Sequence, residues 1–424
     1  MAMETSSLPG QKWCADLRQL MSLGMNDVDI DGILHEIQEQ ELISLFDALR
    51  KNRGLQTFSL RHVELSRTAI SALVPALKNA RFLNNILIEE ALDLDQCLPE
   101  LLAVTLFFNR SIKRLVLRSC WVEEVSSYSI GSMLNTMLHL EELHICHNRI
   151  DEHAACAIGV ALKQNTSLKV LDLTGSSMNC EAVCRLSLGL ACNTSLIKVI
   201  LDFNCFGDNG CAGLARMLRK NQSLEELHFF GNRVTAMGAK ILAQALKVNS
   251  TLRALELSFN RIGDEGVIAL AECLTINTTL EKIWFPSNSV GCNGMIAFAD
   301  QLPKMKGLRE LYVGLLLDDD IEDALAQALK ENLNLSILYL EKPTVFEEEE
   351  DVISPVAKGM DFYLRCNKSG RRLFREKNVD RKLWSNVLAL ASSNSSSDGT
   401  PDVLHYMIRS NPALFERSTT LQEK

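Results

Sequence analysis

The stretch LRALELSFNRIGDEGVIALAECLTINTT, residues 252–279, decides the fold. Its first six residues are apolar at positions 1, 4 and 6, and this template returns every 28 residues in five consecutive stretches. The stretches begin at Leu168, Leu196, Leu224, Leu252 and Leu280. An internal period of roughly 20 to 50 residues is typical of a solenoid, in which each unit buries its apolar edge only against its neighbours. The sequence therefore predicts a repeat fold, and function becomes a question about surfaces.

The same register extends along most of the 424 residues. Further units begin at Leu55, Leu83, Ile112, Leu140, Leu308 and Leu335, which makes about eleven units. Met25, Val28 and Ile30 indicate a degenerate first turn. We predict an N-terminal segment over 1–24, a degenerate capping repeat over 25–54 and the repeat domain over 55–343.

Each unit divides into a strand and a helix. Apolar residues at positions 4 and 6 alternate with polar ones, which is the pattern of a strand with one buried face. The second half of a unit has helical spacing, as in residues 266–274. A lone unit cannot fold, because each buried aliphatic side chain contributes about 1.5 to 3 kcal/mol whereas ordering the backbone costs about 1 to 2 kcal/mol per residue.

Asparagine recurs at position 9, where the chain turns out of the strand and leaves backbone groups without sheet partners. A buried amide has donors and an acceptor that can bridge such groups between neighbouring turns. We therefore predict a structural asparagine ladder of Asn148, Asn204, Asn232, Asn260 and Asn288. The ladder is predicted to fail at the ends, where position 9 holds Val63, Ala91, Leu316 and Pro343.

The pattern LxxLxLxxNxIxxxGxxxLAxALxxNxS, almost complete in residues 252–279, resembles the leucine-rich repeat of the ribonuclease inhibitor subtype, which NOD-like receptors also contain. The resemblance covers about residues 50–343. It implies an α/β solenoid horseshoe with a parallel sheet on the concave face, helices on the convex face and a small helical C-terminal cap. In this family the concave sheet usually binds a macromolecular partner, but the scaffold hosts many unrelated interactions.

Composition narrows the class of function. The net charge of −9 gives no support to nucleic-acid binding, which needs clustered Lys and Arg. Neither a secretory signal nor an apolar run of about 18 residues is visible, so we expect a cytoplasmic protein that is not membrane-bound. The 13 cysteines are then expected to be free thiols, most of them buried. The Asn-x-Ser/Thr triplets at one repeat position are interpreted as part of the repeat pattern rather than as glycosylation sites; they begin at Asn165, Asn193, Asn221, Asn249 and Asn277.

Positions 3, 5 and 7 of each strand are expected to project from the concave sheet. Position 5 holds the aromatics Trp284, Tyr312 and Tyr339 on consecutive units. Large aromatics are costly to leave in water and are enriched at binding hot spots. We predict a partner-binding surface of His228, Phe230, Glu256, Trp284, Tyr312 and Tyr339. In the alternative, the C-terminal segment folds back over these aromatics.

Charges on the same face are mixed, with Arg61, Arg114 and Arg118 toward the N-terminal end and a predicted acidic belt in the middle. It consists of Glu142, Asp172, Asp202, Glu226 and Glu256. Such a belt would suit a partner with a basic rim, and a solvated face without a partner is the alternative.

No residue pattern predicts a metal, a cofactor or catalysis. His144 and Cys146 share one face of a strand, but His228 lies three units away at about 5 Å per strand, too far to share one zinc. The sequence has no phosphate-binding glycine loop and no Gly-x-Ser-x-Gly turn. We therefore predict that the chain is not an enzyme.

The period is lost after Pro343. We predict an acidic linker over 344–355 and a helical C-terminal cap over 356–424, with amphipathic helices near 383–388 and 403–408. The basic run 368–375 is expected to pair with the acidic linker.

The function that these features favour is a non-catalytic protein-protein interaction module, an adaptor or sensor scaffold that binds a protein partner on its concave face. Two alternatives stay open. One is a regulator of a small GTPase, of the GTPase-activating type, and the other is an enzyme inhibitor of the ribonuclease inhibitor type. The sequence leaves the oligomeric state open.

Overall fold

The computed structural model describes residues 25–32, 37–91, 101, 109–120, 124–314, 319–341, 358–369, 371, 389, 403 and 406. The predicted segment 1–24, the positions Leu316 and Pro343, the acidic linker 344–355 and the stretch 383–388 lie outside the described residues. The chain divides into two compact units, Met1–Arg233 and Val234–Lys424.

Twelve parallel strands form one sheet in sequence order, which confirms the predicted α/β repeat. The first unit contributes β1 (Asp27–Asp31), β2 (Thr57–Arg61), β3 (Asn85–Glu89), β4 (Arg114–Arg118), β5 (Glu142–Cys146), β6 (Val170–Asp172), β7 (Lys198–Ile200) and β8 (Glu226–His228). The second unit contributes β9 (Ala254–Glu256), β10 (Lys282–Trp284), β11 (Glu310–Gly314) and β12 (Ile337–Glu341).

Helices alternate with these strands. Those described in the first unit are α1 (Glu39–Leu49), α2 (Arg67–Asn79), α3 (Glu124–Thr136), α4 (Glu152–Leu162), α5 (Cys180–Leu190) and α6 (Gly207–Leu218). Those of the second unit are α7 (Ala236–Leu246), α8 (Gly263–Leu274), α9 (Cys292–Gln301), α10 (Asp319–Glu331) and α11 (Lys358–Lys368). Among the described helices, none combines the length and apolar character that a membrane crossing requires.

The core lies between the sheet and the helices. In β5, Leu143 and Ile145 are fully buried, whereas Glu142 and His144 on the opposite face are half-buried. The degenerate first turn repeats this pattern, since Val28 of β1 lies beside Phe58 of β2 and both are buried. Alternation along the strand thus separates a core face from a second face, which we call the open face. It carries positions 3, 5 and 7 of each strand.

The position-9 asparagines are buried and bind backbone groups of two turns. The Asn204 Nδ2 donates to the carbonyls of Leu201 (2.9 Å) and, one turn earlier, Leu173 (2.9 Å). Its Oδ1 accepts from the Met178 amide at 2.9 Å. The other members make equivalent bonds; they are Asn148, Asn232, Asn260 and Asn288. We call this set the strand-end ladder.

Two units place a smaller side chain at this ladder position. The Ser176 hydroxyl donates to the Ile145 carbonyl at 2.7 Å, and the Cys120 thiol lies 3.3 Å from the Ile88 carbonyl. Both side chains are fully buried. The carbonyl of the preceding turn therefore has a side-chain donor in these units as well. The hydroxyl or thiol offers one hydrogen, whereas the asparagine amide offers two.

A second ladder of asparagines lies at the helix ends. The Asn193 Nδ2 donates to the carbonyls of Leu162 (2.7 Å) and Asn165 (3.0 Å), and its Oδ1 accepts from the Leu196 amide at 2.7 Å. Asn165, Asn221 and Asn277 make matching bonds to the preceding helix. Each of these residues begins an Asn-x-Ser/Thr triplet. Each side-chain amide donates to carbonyls that the last turn of a helix leaves without partners. We call this set the helix-end ladder.

The described part of the C-terminal segment packs against α10. The Asn367 Nδ2 donates to the Leu335 carbonyl at 2.8 Å, so α11 ends with one more helix-end asparagine. Arg371, from the predicted basic run, donates to the carbonyls of Leu329 (3.1 Å) and Lys330 at the end of α10. A cation at a helix C-terminus is favoured by the helix dipole. This arginine therefore closes the last described helix of the repeat.

The described cysteines range from buried to exposed. Of the described cysteines, five are buried, namely Cys120, Cys146, Cys211, Cys273 and Cys366, and all those described are free thiols. Cys192, Cys205 and Cys292 are exposed, and the remaining three are half-buried. Cys14 and Cys97 lie outside the described residues, so the burial of most of the 13 cysteines stays a prediction.

Candidate functional site

Three aromatic rings form a row on the open face of the second unit. Trp284 on β10 lies beside Tyr312 on β11, and Tyr312 lies beside Tyr339 on β12. The ring centroids of Trp284 and Tyr312 are 5.4 Å apart. Those of Tyr312 and Tyr339 are 4.2 Å apart with an interplanar angle of 21°. We call Trp284, Tyr312 and Tyr339 the aromatic row.

The repeat itself builds this row. Parallel strands place equivalent positions about 5 Å apart, which is the spacing that offset aromatic stacking prefers. All three rings are half-buried, because each covers part of its neighbour. Such contacts contribute about 0.5 to 1.5 kcal/mol per pair beyond the buried area. The row is therefore a preformed strip of stacked rings on the open face.

Charged side chains border the aromatic row. Glu256 on β9 is the neighbour of Trp284 at position 5, and its carboxylate accepts from the Ser258 amide at 2.6 Å. At position 3, the Lys282 ammonium lies 3.0 Å from the Glu310 carboxylate. This ion pair lies beside the rings, and its net charge is zero. The strip thus ends in a carboxylate on one side and is flanked by a neutral pair.

His228 and Phe230, the other two predicted surface residues, belong to the first unit. The Phe230 ring lies 4.7 Å from that of Phe203, which is 58% exposed. Sequence reasoning missed Phe203 because it occupies position 8, outside the positions expected to project. Its backbone φ of 52° turns its side chain outward. The first unit therefore carries an aromatic pair of its own.

Burial shifts the ionisation of two groups near Phe230. Burial and the nearby Lys198 lower the pKa of His228 to about 4, so its imidazole is neutral at physiological pH. Burial raises the pKa of Asp202 to about 6, although its carboxylate accepts from the Phe230 amide at 2.8 Å. His228 is therefore uncharged, whereas the Asp202 carboxyl becomes mostly ionised only above about pH 6.

Two of the five carboxylates of the predicted acidic belt are paired with a lysine or arginine. The Arg114 guanidinium lies 3.0 Å from the Glu142 carboxylate, and the Lys198 ammonium lies 3.0 Å from the Glu226 carboxylate. In each pair the cation comes from the preceding strand at the same position. The sequence analysis named Arg114 but did not pair it with Glu142, and it did not consider Lys198. A partner selected by net negative charge is correspondingly less favoured.

A third group on the open face gathers imidazole, thiol and carboxylate. The His144 Nδ1 lies 3.1 Å from the Asp172 Oδ2, and one ligand atom each from His144, Cys146 and Asp172 lie within 4.8 Å of one another. The sequence analysis placed Asp172 in the acidic belt but missed its position beside His144 and Cys146. The signal was available, because Asp172 follows His144 by one 28-residue period and so occupies the same position on the next strand.

The environment of this cluster fixes its members. Burial alone would raise the pKa of Asp172, but hydrogen bonds from His144 and Thr174 lower it to about 2. Burial raises the pKa of Cys146 to about 12. His228, by contrast, is not a member of the cluster, as the strand spacing predicts. The group is therefore compact, polar and nearly enclosed.

Comparison with known proteins follows the geometry. Residues 192–215, 220–243 and 248–271 match the family model described as Leucine Rich repeat. A similar solved structure is "Leiomodin-1 Actin-Binding Site 2 (ABS2)", with 16% identity, coverage of 48% of this chain and 88% of that chain, and a TM-score of 0.24. That likeness is too low to support an argument about this chain. No curated protein matches. The parallel strands of the sheet alternate with helices along the chain. This chain therefore carries leucine-rich repeats, as its resemblance to the ribonuclease inhibitor subtype predicts.

Proposed function

We propose that the chain is a non-catalytic protein-binding module and that its aromatic row contacts the partner. Leucine-rich repeat domains generally bind proteins, and the row is the observation that carries the proposal to particular residues. Three adjacent rings with centroid separations of 5.4 and 4.2 Å form a rigid surface. Rigid aromatics lose little conformational entropy on binding, which is why they are enriched at hot spots.

The flanks of the row favour a particular partner chemistry. A side chain that lies over Trp284 or Tyr312 should be flat or apolar, and a guanidinium satisfies the rings by cation-π stacking. Glu256, beside Trp284, offers such a cation a carboxylate. An extended or helical partner segment with one arginine next to an aliphatic or aromatic side chain fits this arrangement best.

Site-specific photo-crosslinking tests the proposal. Benzoylphenylalanine replaces Ile337, which precedes Tyr339 by two residues on β12 and shares its face. In native extracts, the crosslinker should join the chain to a partner protein in one discrete adduct. The matched control places the same group at Val248, which is 67% exposed beyond the end of α7. That control should give no adduct of the same size.

Substitutions in the row then connect the adduct to the rings. Trp284→Ala and Tyr312→Ala, each introduced into the Ile337 crosslinking chain, should reduce the adduct at least tenfold because hot-spot truncation typically costs about 2 kcal/mol or more. Circular dichroism verifies that both variants stay folded. An adduct that persists in both folded variants, or that forms equally from position 248, would show that the partner binds elsewhere.

A further inference from the structure

We infer that His144, Cys146 and Asp172 bind one zinc ion on the open face of the first unit. The three residues supply a nitrogen, a sulfur and an oxygen, and their ligand atoms lie within 4.8 Å of one another. His144 and Cys146 belong to β5, and Asp172 belongs to the adjacent strand β6. The site thus rests on two neighbouring strands of a rigid sheet.

The distances suit a tetrahedral ion. With bonds of about 2.0 to 2.3 Å, the ligand atoms of tetrahedral zinc stand about 3.3 to 3.8 Å apart. The His144 Nδ1 and the Asp172 Oδ2 are already 3.1 Å apart. The thiol has to approach by up to about 1.3 Å, given the 4.8 Å limit of the cluster, and a side-chain rotation provides this.

Neighbouring groups hold two of the ligands in place. The Glu142 Oε2 lies 3.5 Å from the His144 Nε2, so a carboxylate stands behind the imidazole on the side away from Asp172. The Asp172 Oδ1 accepts from the Thr174 amide (3.0 Å) and hydroxyl (2.6 Å), which leaves Oδ2 for the ion. Outer partners of this kind fix the ring and the tautomer in protein zinc sites.

The donor set selects the metal. A thiolate together with imidazole and carboxylate favours zinc over magnesium or calcium, which prefer oxygen ligands alone. On binding, the thiol releases its proton to solvent and the sulfur forms the bond to zinc. Cys146 is 3% exposed, and the side chains of His144 and Asp172 are 15% and 14% exposed. The three ligands leave one position toward solvent, which water fills.

Cobalt(II) is the probe for this site. The full-length, metal-free chain is titrated with Co²⁺, and the sulfur-to-cobalt charge-transfer band in the near ultraviolet is recorded with the visible d–d bands. One equivalent should saturate the bands, and one equivalent of Zn²⁺ should remove them. Cys146→Ser should lose the charge-transfer band. His144→Gln should weaken Co²⁺ binding by at least tenfold, and Glu142→Gln, a positioning residue, should weaken it roughly tenfold.

Two matched variants control for other thiols and imidazoles. Cys205 and His153 are exposed and lie outside the cluster, so Cys205→Ser and His153→Gln should bind cobalt as the parent chain does. Circular dichroism checks the fold of every variant. A parent chain without the charge-transfer band at one equivalent overturns the inference. So does a band of unchanged intensity in Cys146→Ser, and if that variant does not fold, unchanged affinity in His144→Gln has the same meaning.

Discussion

Gly189 on α5 lies directly against the backbone of Gly159 on α4. A methyl carbon placed on Gly189 would stand 2.0 Å from the Gly159 carbonyl oxygen and 2.4 Å from its carbonyl carbon. No side-chain rotation relieves that overlap, because every nearby atom belongs to the backbone. The spacing of these two helices is therefore set by the absence of a side chain at one position.

Gly189→Ala should lower the free energy of unfolding by about 1 to 3 kcal/mol, since the helices must separate to admit the methyl group. Gly291→Ala is the control, because its methyl group would meet the Asp264 carboxylate at an ordinary 3.4 Å. It should cost less than about 1 kcal/mol. Urea denaturation measures both, and equal losses would contradict the role assigned to the Gly159 contact.

The strand-end ladder predicts a graded response at Asn204. Asn204→Ala leaves several buried backbone groups without their partner and should cost about 2 to 4 kcal/mol. Asn204→Ser should cost less, because the serine at Ser176 keeps the bond to the preceding carbonyl. The exposed Asn209 provides the control, and Asn209→Ala should be near neutral. Thermal unfolding orders the variants, and an alanine variant as stable as the serine variant would refute the ladder argument.

Asp202→Asn should stabilise the chain in a way that depends on pH. Burial raises the pKa of Asp202 to about 6, so the native state binds its proton more tightly than the unfolded state does. The parent chain therefore loses stability as the pH rises from about 4 to about 6, and asparagine, which cannot ionise, does not. Allowing for partial exposure, the variant should be more stable by about 1 to 2 kcal/mol at neutral pH. The difference should vanish below about pH 4, and a gain that is independent of pH would exclude this cause.

The rings of Tyr312 and Tyr339 should be energetically coupled. A double-mutant cycle with Tyr312→Ala and Tyr339→Ala is expected to give a coupling of about 0.5 to 1.5 kcal/mol, because the rings are stacked at 4.2 Å. Val248, which follows α7, and Tyr339 on β12 have β9, β10 and β11 between them along the chain, and their alanine variants should be additive. Coupling as weak in the first pair as in the second would show that the stacking contributes nothing to stability.

The fold could be predicted from the sequence because the same pattern of apolar residues recurs in each repeat. Leu143 and Ile145 alternate with polar neighbours as Leu255 and Leu257 do, so an error in one unit is corrected by the others. Even Val28, in the degenerate first turn, follows the alternation and lies in β1. A periodic template leaves strands, helices and their order with few alternatives.

The open face was harder to predict because its residues differ between units. The aromatic row followed from equal positions on successive units. Adjacency between units was considered for the rings but not for charges, so the pairing of Arg114 with Glu142 and of Lys198 with Glu226 was not predicted. Asp172 was missed beside His144 for the same reason, although the period places it there. The exposure of Phe203 follows from a positive backbone φ, which a pattern of apolar residues does not reveal.

The helix-end ladder restricts where this chain can be made. Each of its triplets, such as the one at Asn193, is an acceptor sequence for an oligosaccharide transferase, and the enzyme modifies chains before they fold. A sugar on that amide nitrogen would replace one of the two hydrogens donated to the Leu162 and Asn165 carbonyls, and it could not be accommodated at a site 2% exposed. Directing the chain into the secretory pathway would therefore trap it as a glycosylated, misfolded product.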